Sequence, residues 1–128
     1  MVSEKNLIGY QRVNNIIFMV YDEKVALRIR NVMAKQKGSD ERKMFGGLSF
    51  FVNGKMCIGI LKNDLVVRID PKDSDKLLKM PHVRPMDFTG KPMKGFVYVA
   101  PKGYNTDKML SFWIKNGIEF SKTLKKKS

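Results

Sequence analysis

The run Glu41-Arg42-Lys43-Met44-Phe45-Gly46-Gly47-Leu48-Ser49-Phe50-Phe51-Val52, followed at once by Asn53-Gly54-Lys55-Met56, constrains the fold more than any other part of the chain. Asn-Gly is the dipeptide that best tolerates the two positive φ angles of a two-residue hairpin turn. The aromatic-rich run from Lys43 to Val52 therefore predicts a strand that reverses at Asn53-Gly54. The return strand spans about 55 to 61, with Met56, Ile58 and Ile60 expected on one face and Cys57, Gly59 and Leu61 on the other. A second turn at Lys62-Asn63-Asp64 opens a third strand, where Leu65, Val67 and Ile69 alternate with Val66, Arg68 and Asp70. One face of this meander is apolar and the other mixed, the pattern of an antiparallel sheet covered by helices on one side.

Helical signals flank the meander. Asp22 is an N-cap, Glu23 suits the positive end of the helix dipole, and Tyr21, Val25, Ile29, Val32 and Met33 share one face of a helix over about 22 to 35. Lys35-Gln36-Lys37-Gly38-Ser39-Asp40 has the basic residues and glycine of a helix end, and reads as a loop leading into the sheet. Beyond the meander, Pro71 fits a first helical turn, and Ser74 to Lys79 forms a short helix that Pro81 stops. Val83 to Phe88 is extended because Pro85 restricts Arg84, Gly90 to Gly95 is turn-like, and Phe96 to Ala100 is a strand. Asn105 or Thr106 caps a last helix whose stripe is Met109, Leu110, Trp113, Ile114, Gly117, Phe120 and Leu124, with Gly117 allowing close approach to the sheet. The expected fold is α+β: a two-layer sandwich with a five-stranded antiparallel sheet, helices on one face, and the order α-β-β-β-α-β-β-α.

A chain of 128 residues is the size of one domain. Its 25 Lys plus Arg against 12 Asp plus Glu give a net charge of +13, which favours an anionic partner and also keeps a small protein soluble. The lone Cys57 leaves no internal disulfide to form, so a reducing cytoplasm fits best. Residues 1–18 read as a flexible or loosely docked extension, residues 19–124 as the domain and residues 125–128 as a solvated basic tail. A second reading takes Met19 as the natural start. The apolar run Ile16-Ile17-Phe18-Met19-Val20 is too short for a membrane span, and no small-residue cleavage site precedes Asp22-Glu23-Lys24, so no export signal and no membrane partner is expected.

Arg42-Lys43-Met44-Phe45-Gly46-Gly47, the Asn53-Gly54-Lys55-Met56 turn, Val67-Arg68-Ile69, the segment from Arg84-Pro85-Met86-Asp87-Phe88-Thr89-Gly90 through Lys91-Pro92-Met93-Lys94-Gly95 to Phe96-Val97-Tyr98-Val99, and Trp113-Ile114 resemble the TfoX/Sxy N-terminal-domain family. The resemblance spans about 21 to 124, and Met19 to Glu23 is similar to the segment with which family members begin. It implies a secretion-chaperone-like sandwich, in agreement with the order read from the residues. It also implies a regulatory role of the competence or transcription-regulator type. The named members regulate natural competence and carry a second, C-terminal domain with no counterpart in these residues.

Chemistry-bearing residues are sparse. His82 is the single histidine and reads as a surface loop residue; Cys57 reads as a buried structural thiol without an adjacent base. Gly46-Gly47 lacks the Lys-Ser/Thr and following helix of a phosphate-binding loop and reads as a strand kink or bulge. No nucleophile and base pair is apparent, so the sequence predicts a non-enzymatic protein with no catalytic residue, metal or cofactor. An enzyme would need a concave pocket around His82, Arg68 or Asp87. The remaining functional signal is Arg42, Lys43, Arg68, Arg84, Lys91 and Lys94 at strand ends and turns, which form either a solvated basic rim or one convergent polyanion or partner site. Arg84 and Asp87 are alternatively a local ion pair. Two roles follow. One is a regulatory or protein-interaction module, homodimeric through its uncovered sheet face and partnered by a protein such as a transcription factor, which requires an exposed apolar patch. The other is a small nucleic-acid-binding protein, which requires a contiguous basic surface.

Overall fold

In the computed structural model, which describes residues 10–13, 16–19, 22–44, 46–87 and 92–124, Asn53 and Gly54 take φ of 51° and 80°. These are the two positive values that a tight hairpin turn needs. The strands and helices are β1 (Tyr10–Val13), β2 (Ile16–Met19), α1 (Glu23–Met33), β3 (Ser39–Met44), β4 (Gly47–Val52), β5 (Lys55–Leu61), β6 (Asp64–Arg68), α2 (Ser74–Leu78), β7 (Val83–Asp87), β8 (Pro92–Val99) and α3 (Asp107–Thr123). β1 and β2 form an antiparallel hairpin within the stretch expected to be an extension. The other strands form one six-stranded sheet in the order β3-β4-β5-β6-β8-β7, antiparallel at every pairing. The α+β class holds.

The expected five strands become six because Gly46 is a turn rather than a kink. Its φ of +77° lets the chain reverse, so that Lys43 pairs with Leu48 and Met44 with Gly47. Residues 39–42 had read as loop because Ser39, Asp40, Glu41 and Arg42 show no apolar alternation. An edge strand needs none, and charge on an edge discourages pairing with another chain. After the β1–β2 hairpin the order is therefore α-β-β-β-β-α-β-β-α. β8 also begins earlier than Phe96, at Pro92, and a register shift between Pro85 and Met86 absorbs its proline and glycine. Tyr21, Phe45, Phe88, Lys91 and the Lys125 to Lys127 tail lie outside the described residues.

A second correction concerns the faces of β5. Phe50 pairs with Ile58 but Phe51 pairs with Met56, so Cys57 is the extra residue of a β-bulge. It turns toward the helices, and Met56 goes to the opposite face from Ile58 and Ile60. The helix-side face carries Leu48, Phe50, Ile58, Ile60, Leu65, Val67, Val97 and Val99, in one apolar cluster with Val25, Ala26, Ile29 and Met33 of α1, Leu77 of α2, and Leu110, Trp113, Ile114 and Ile118 of α3. Burying each of the larger side chains contributes about 1.5–3 kcal/mol. Phe51, Val66 and Ser49 are buried but lie outside that cluster, on the other face.

The helices start where capping chemistry allows. The Asp22 carboxylate accepts from the Lys24 and Val25 amides, and the Thr106 hydroxyl accepts from the Met109 amide. Arg28 bridges to Asp107 at 3.0 Å, linking α1 to α3, and Arg30 donates from two nitrogens to Glu41, fastening α1 to β3. α3 sits directly on the bulge: a Cβ at Gly117 would lie 2.3 Å from the Cys57 carbonyl oxygen, a distance open only to glycine.

Candidate functional site

Residues directly opposite one another in a sheet share a face, so the register sorts the basic residues. Arg42 pairs with Ser49, Ser49 with Gly59, Gly59 with Val66, Val66 with Tyr98, and Tyr98 with Arg84. One row thus crosses all six strands on the face away from the helices, with Arg42 and Arg84 at its two ends. At the usual strand spacing these ends stand about 24 Å apart. Arg68 pairs with Phe96 one row along on the same face.

Each of the three arginines lies over an aromatic ring of that face. The guanidinium carbon of Arg42 is 4.6 Å from the Phe51 ring centre, that of Arg68 is 4.8 Å from Phe96, and that of Arg84 is 4.7 Å from Tyr98. At these distances the ring quadrupole attracts the cation, and each stack contributes about 0.5–1 kcal/mol where exposed. The stacks also hold long side chains in place against the sheet, reducing the entropy a partner would otherwise have to remove.

The three arginines differ in their remaining partners. Arg42 donates to Asp40 at 3.2 Å, and Arg84 donates to Asp64 at 2.6 Å; the alternative pairing with Asp87 involves a side chain outside those described. The Arg42 and Arg84 side chains are 57% and 51% exposed, so these pairs are weak and readily exchanged. Arg68 is half-buried; its Nε donates to the Met56 carbonyl at 2.7 Å, and among the described residues no carboxylate pairs with it. Burial lowers its pKa from the usual arginine value, an effect the nearby Cys57 partly opposes. A half-buried guanidinium with unused donors favours an anion that restores its solvation.

Between Arg42 and Arg84 the row runs through Ser49, Gly59 and Val66, all buried, and then Tyr98. The Ser49 side chain is nearly inaccessible, and its hydroxyl has no hydrogen-bond partner among the described residues. The Met56 thioether lies over Gly59 beside it.

The expected six-residue cluster therefore divides. Arg42, Arg68 and Arg84 share one face, spread across the sheet. Lys43, opposite Leu48, belongs to the other; Lys94 is exposed on β8; Lys91 lies outside the described residues. Sequence reading missed Phe96 and Ser49, whose relation to the arginines exists only through the cross-strand register. Among the described residues the large apolar side chains that are exposed, Leu27 and Phe112, belong to α1 and α3.

His82 is exposed in the turn before β7, at a φ of 67°, and its carbonyl accepts from the Ala100 amide. The Cys57 thiol is fully buried and donates to the Ser121 hydroxyl at 3.1 Å, which donates in turn to the Ile118 carbonyl. Burial pushes its pKa up, against smaller opposing effects from Ser121, Arg68, the Val52 backbone and Lys122. Two surface grooves lie away from the arginines' face, one between α1 and β3 beside Arg30, Glu41 and Phe50 and one between α3 and Asp70 and Asp73. Among the described residues no group of His, Cys, Asp or Glu is arranged to hold a metal, and no helix is long and apolar enough to cross a membrane.

Residues 31–121 match the TfoX N-terminal domain family. No curated protein and no solved structure matches the chain.

Proposed function

The chain belongs to the TfoX N-terminal domain family, and from that premise we propose a non-enzymatic, regulatory interaction module that captures an anionic macromolecule on the helix-free face of its sheet. The observation that carries this reading is the placement of Arg42, Arg68 and Arg84 over Phe51, Phe96 and Tyr98 on one face. Three preorganised cations spread across a six-stranded sheet suit recognition of an extended polyanion. A cytoplasmic regulator of the transcription-control type implied by the family resemblance meets such partners in nucleic acid and in proteins bound to it.

Immobilised heparin is a direct probe of this reading. The protein is expected to elute at higher salt than a triple variant with Arg42, Arg68 and Arg84 changed to alanine. A control triple removes the same charge from exposed positions on α3, namely Lys108→Ala, Lys115→Ala and Lys122→Ala. It is expected to shift elution much less. Equal shifts in the two triples would reduce the interaction to net charge and overturn the reading.

A further inference from the structure

We infer that the polyanion held on this face is a single-stranded nucleic acid, laid across the strands from Arg42 to Arg84 with its bases stacked on the guanidinium planes. This deepens the proposal above and rests on it. Charge complementarity is the first ground: the chain carries +13, and the face holds three arginines against Asp40 and Asp64, both engaged in exposed pairs that a phosphate can displace. Width is the second. A major groove about 12 Å wide admits a helix or a two-stranded ribbon, whereas the Arg42 to Arg84 row extends about 24 Å, so the face does not fit an undistorted major groove. A single strand brings its bases to the surface instead.

The third ground is the chemistry of the stacks. Arg42 and Arg84, held over their rings and more than half exposed, keep a planar cation at the surface against which any base can lie. A carboxylate-bearing protein uses the guanidinium charge and edge but has no use for that plane. Last, the Ser49 hydroxyl is buried on the floor of the same row without a partner among the described residues. An unmet hydroxyl is unfavourable unless a ligand group reaches it. The unbranched Met56 side chain over Gly59 repacks easily to let a base edge approach.

The test is fluorescence anisotropy with labelled single-stranded DNA and RNA, the same sequence as duplex, and a polyglutamate peptide, across a salt series. Single strands are expected to bind at least about tenfold more tightly than duplex or polyglutamate. Changing all three arginines to alanine should make the log–log salt dependence shallower by about 2, from three phosphate contacts at about 0.7 each. Changing all three to lysine keeps the charge and the salt dependence but removes the planar platform, and affinity should fall about tenfold. Ser49→Ala should weaken single-strand binding several-fold while leaving the unfolding midpoint unchanged or raised.

Binding equal in wild type and the lysine triple would overturn base stacking, and an unchanged Ser49→Ala affinity would overturn the approach of a base to the floor. If heparin binding depends on the three arginines but duplex or polyglutamate competes as well as single strands, the general polyanion reading stands and this inference falls.

Discussion

Replacing Gly117 by alanine is expected to destabilise the protein through crowding alone. The added carbon would lie 2.3 Å from the Cys57 carbonyl oxygen and 2.9 Å from its carbonyl carbon, where ordinary contact begins at 3.4 Å. Both atoms are backbone, so no side chain can swing aside. α3 must lift by about 1 Å and loosen the packing of Trp113, Ile114 and Ile118, and overpacking of this kind costs about 1–3 kcal/mol, more in severe cases. Removing a glycine from a helix interior returns about 1 kcal/mol, leaving a net loss of up to about 2 kcal/mol, or up to about 8 °C in Tm for a domain of this size. Two controls separate crowding from backbone strain. Gly46→Ala meets nothing within 4 Å but sits at φ +77°, so it should lose only the left-handed penalty of about 1 kcal/mol. Gly95→Ala comes no closer than 4.0 Å to the Ile69 carbonyl and should be neutral within about 0.5 kcal/mol. Urea unfolding followed by fluorescence of Trp113, the single tryptophan, reads all three, with an unchanged m value showing that the unfolded state is the same. A Gly117→Ala midpoint equal to that of Gly95→Ala would refute the close seating of α3.

Tyr104 donates to the Asn63 carbonyl; burial first, then Asp22 and Asp64, push its pKa from 10.0 to about 12. The folded state then keeps a proton that the unfolded chain loses, so this contribution is complete below pH 10 and disappears between pH 10 and about 12. Urea midpoints should fall more steeply over that window in wild type than in Tyr104→Phe, which itself costs about 1 kcal/mol at neutral pH; parallel profiles would contradict the assignment. Cys57 should react with a thiol reagent only as fast as the protein opens, with urea accelerating labelling, and labelling at a free thiol's rate would contradict its burial. Thr106→Ala should lose about 1 kcal/mol by urea unfolding, with Thr106→Ser recovering most of it, because only the hydroxyl to the Met109 amide is at stake.

The parts of the fold legible in the sequence are those fixed by local chemistry. Asp22 and Thr106 announce helix starts because a cap depends on residues two or three places away, and Asn53-Gly54 announces a turn because its φ angles exclude most other residues. β3 escaped because an edge strand is only half paired and can be charged along its length, so Ser39 to Lys43 shows no alternation to read. The start of β8 escaped for a related reason: Pro92 and Gly95 are turn residues by composition, tolerated here where the register with β7 is already irregular.

The proposed binding face was less legible because none of its contacts is local. Arg42 and Phe51 are diagonal neighbours only once Gly46 reverses the chain and sets Asp40 opposite Phe51. Read as a single strand from Lys43 to Val52, the sequence leaves Arg42 in a loop. Arg68 and Phe96 are 28 positions apart and meet because β8 enters the sheet beside β6, a topological choice that no spacing encodes. The bulge at Cys57 matters most. It turns Met56 onto the helix-free face, where its carbonyl accepts from Arg68, while the next carbonyl along, that of Cys57, meets Gly117 of α3. Two adjacent backbone carbonyls thus hold the core helix on one side of the sheet and the central arginine on the other. A helix displaced by a larger residue at position 117 should therefore disturb Arg68 before it disturbs Arg42 or Arg84, whose stacks do not rest on the β5 backbone that Gly117 meets.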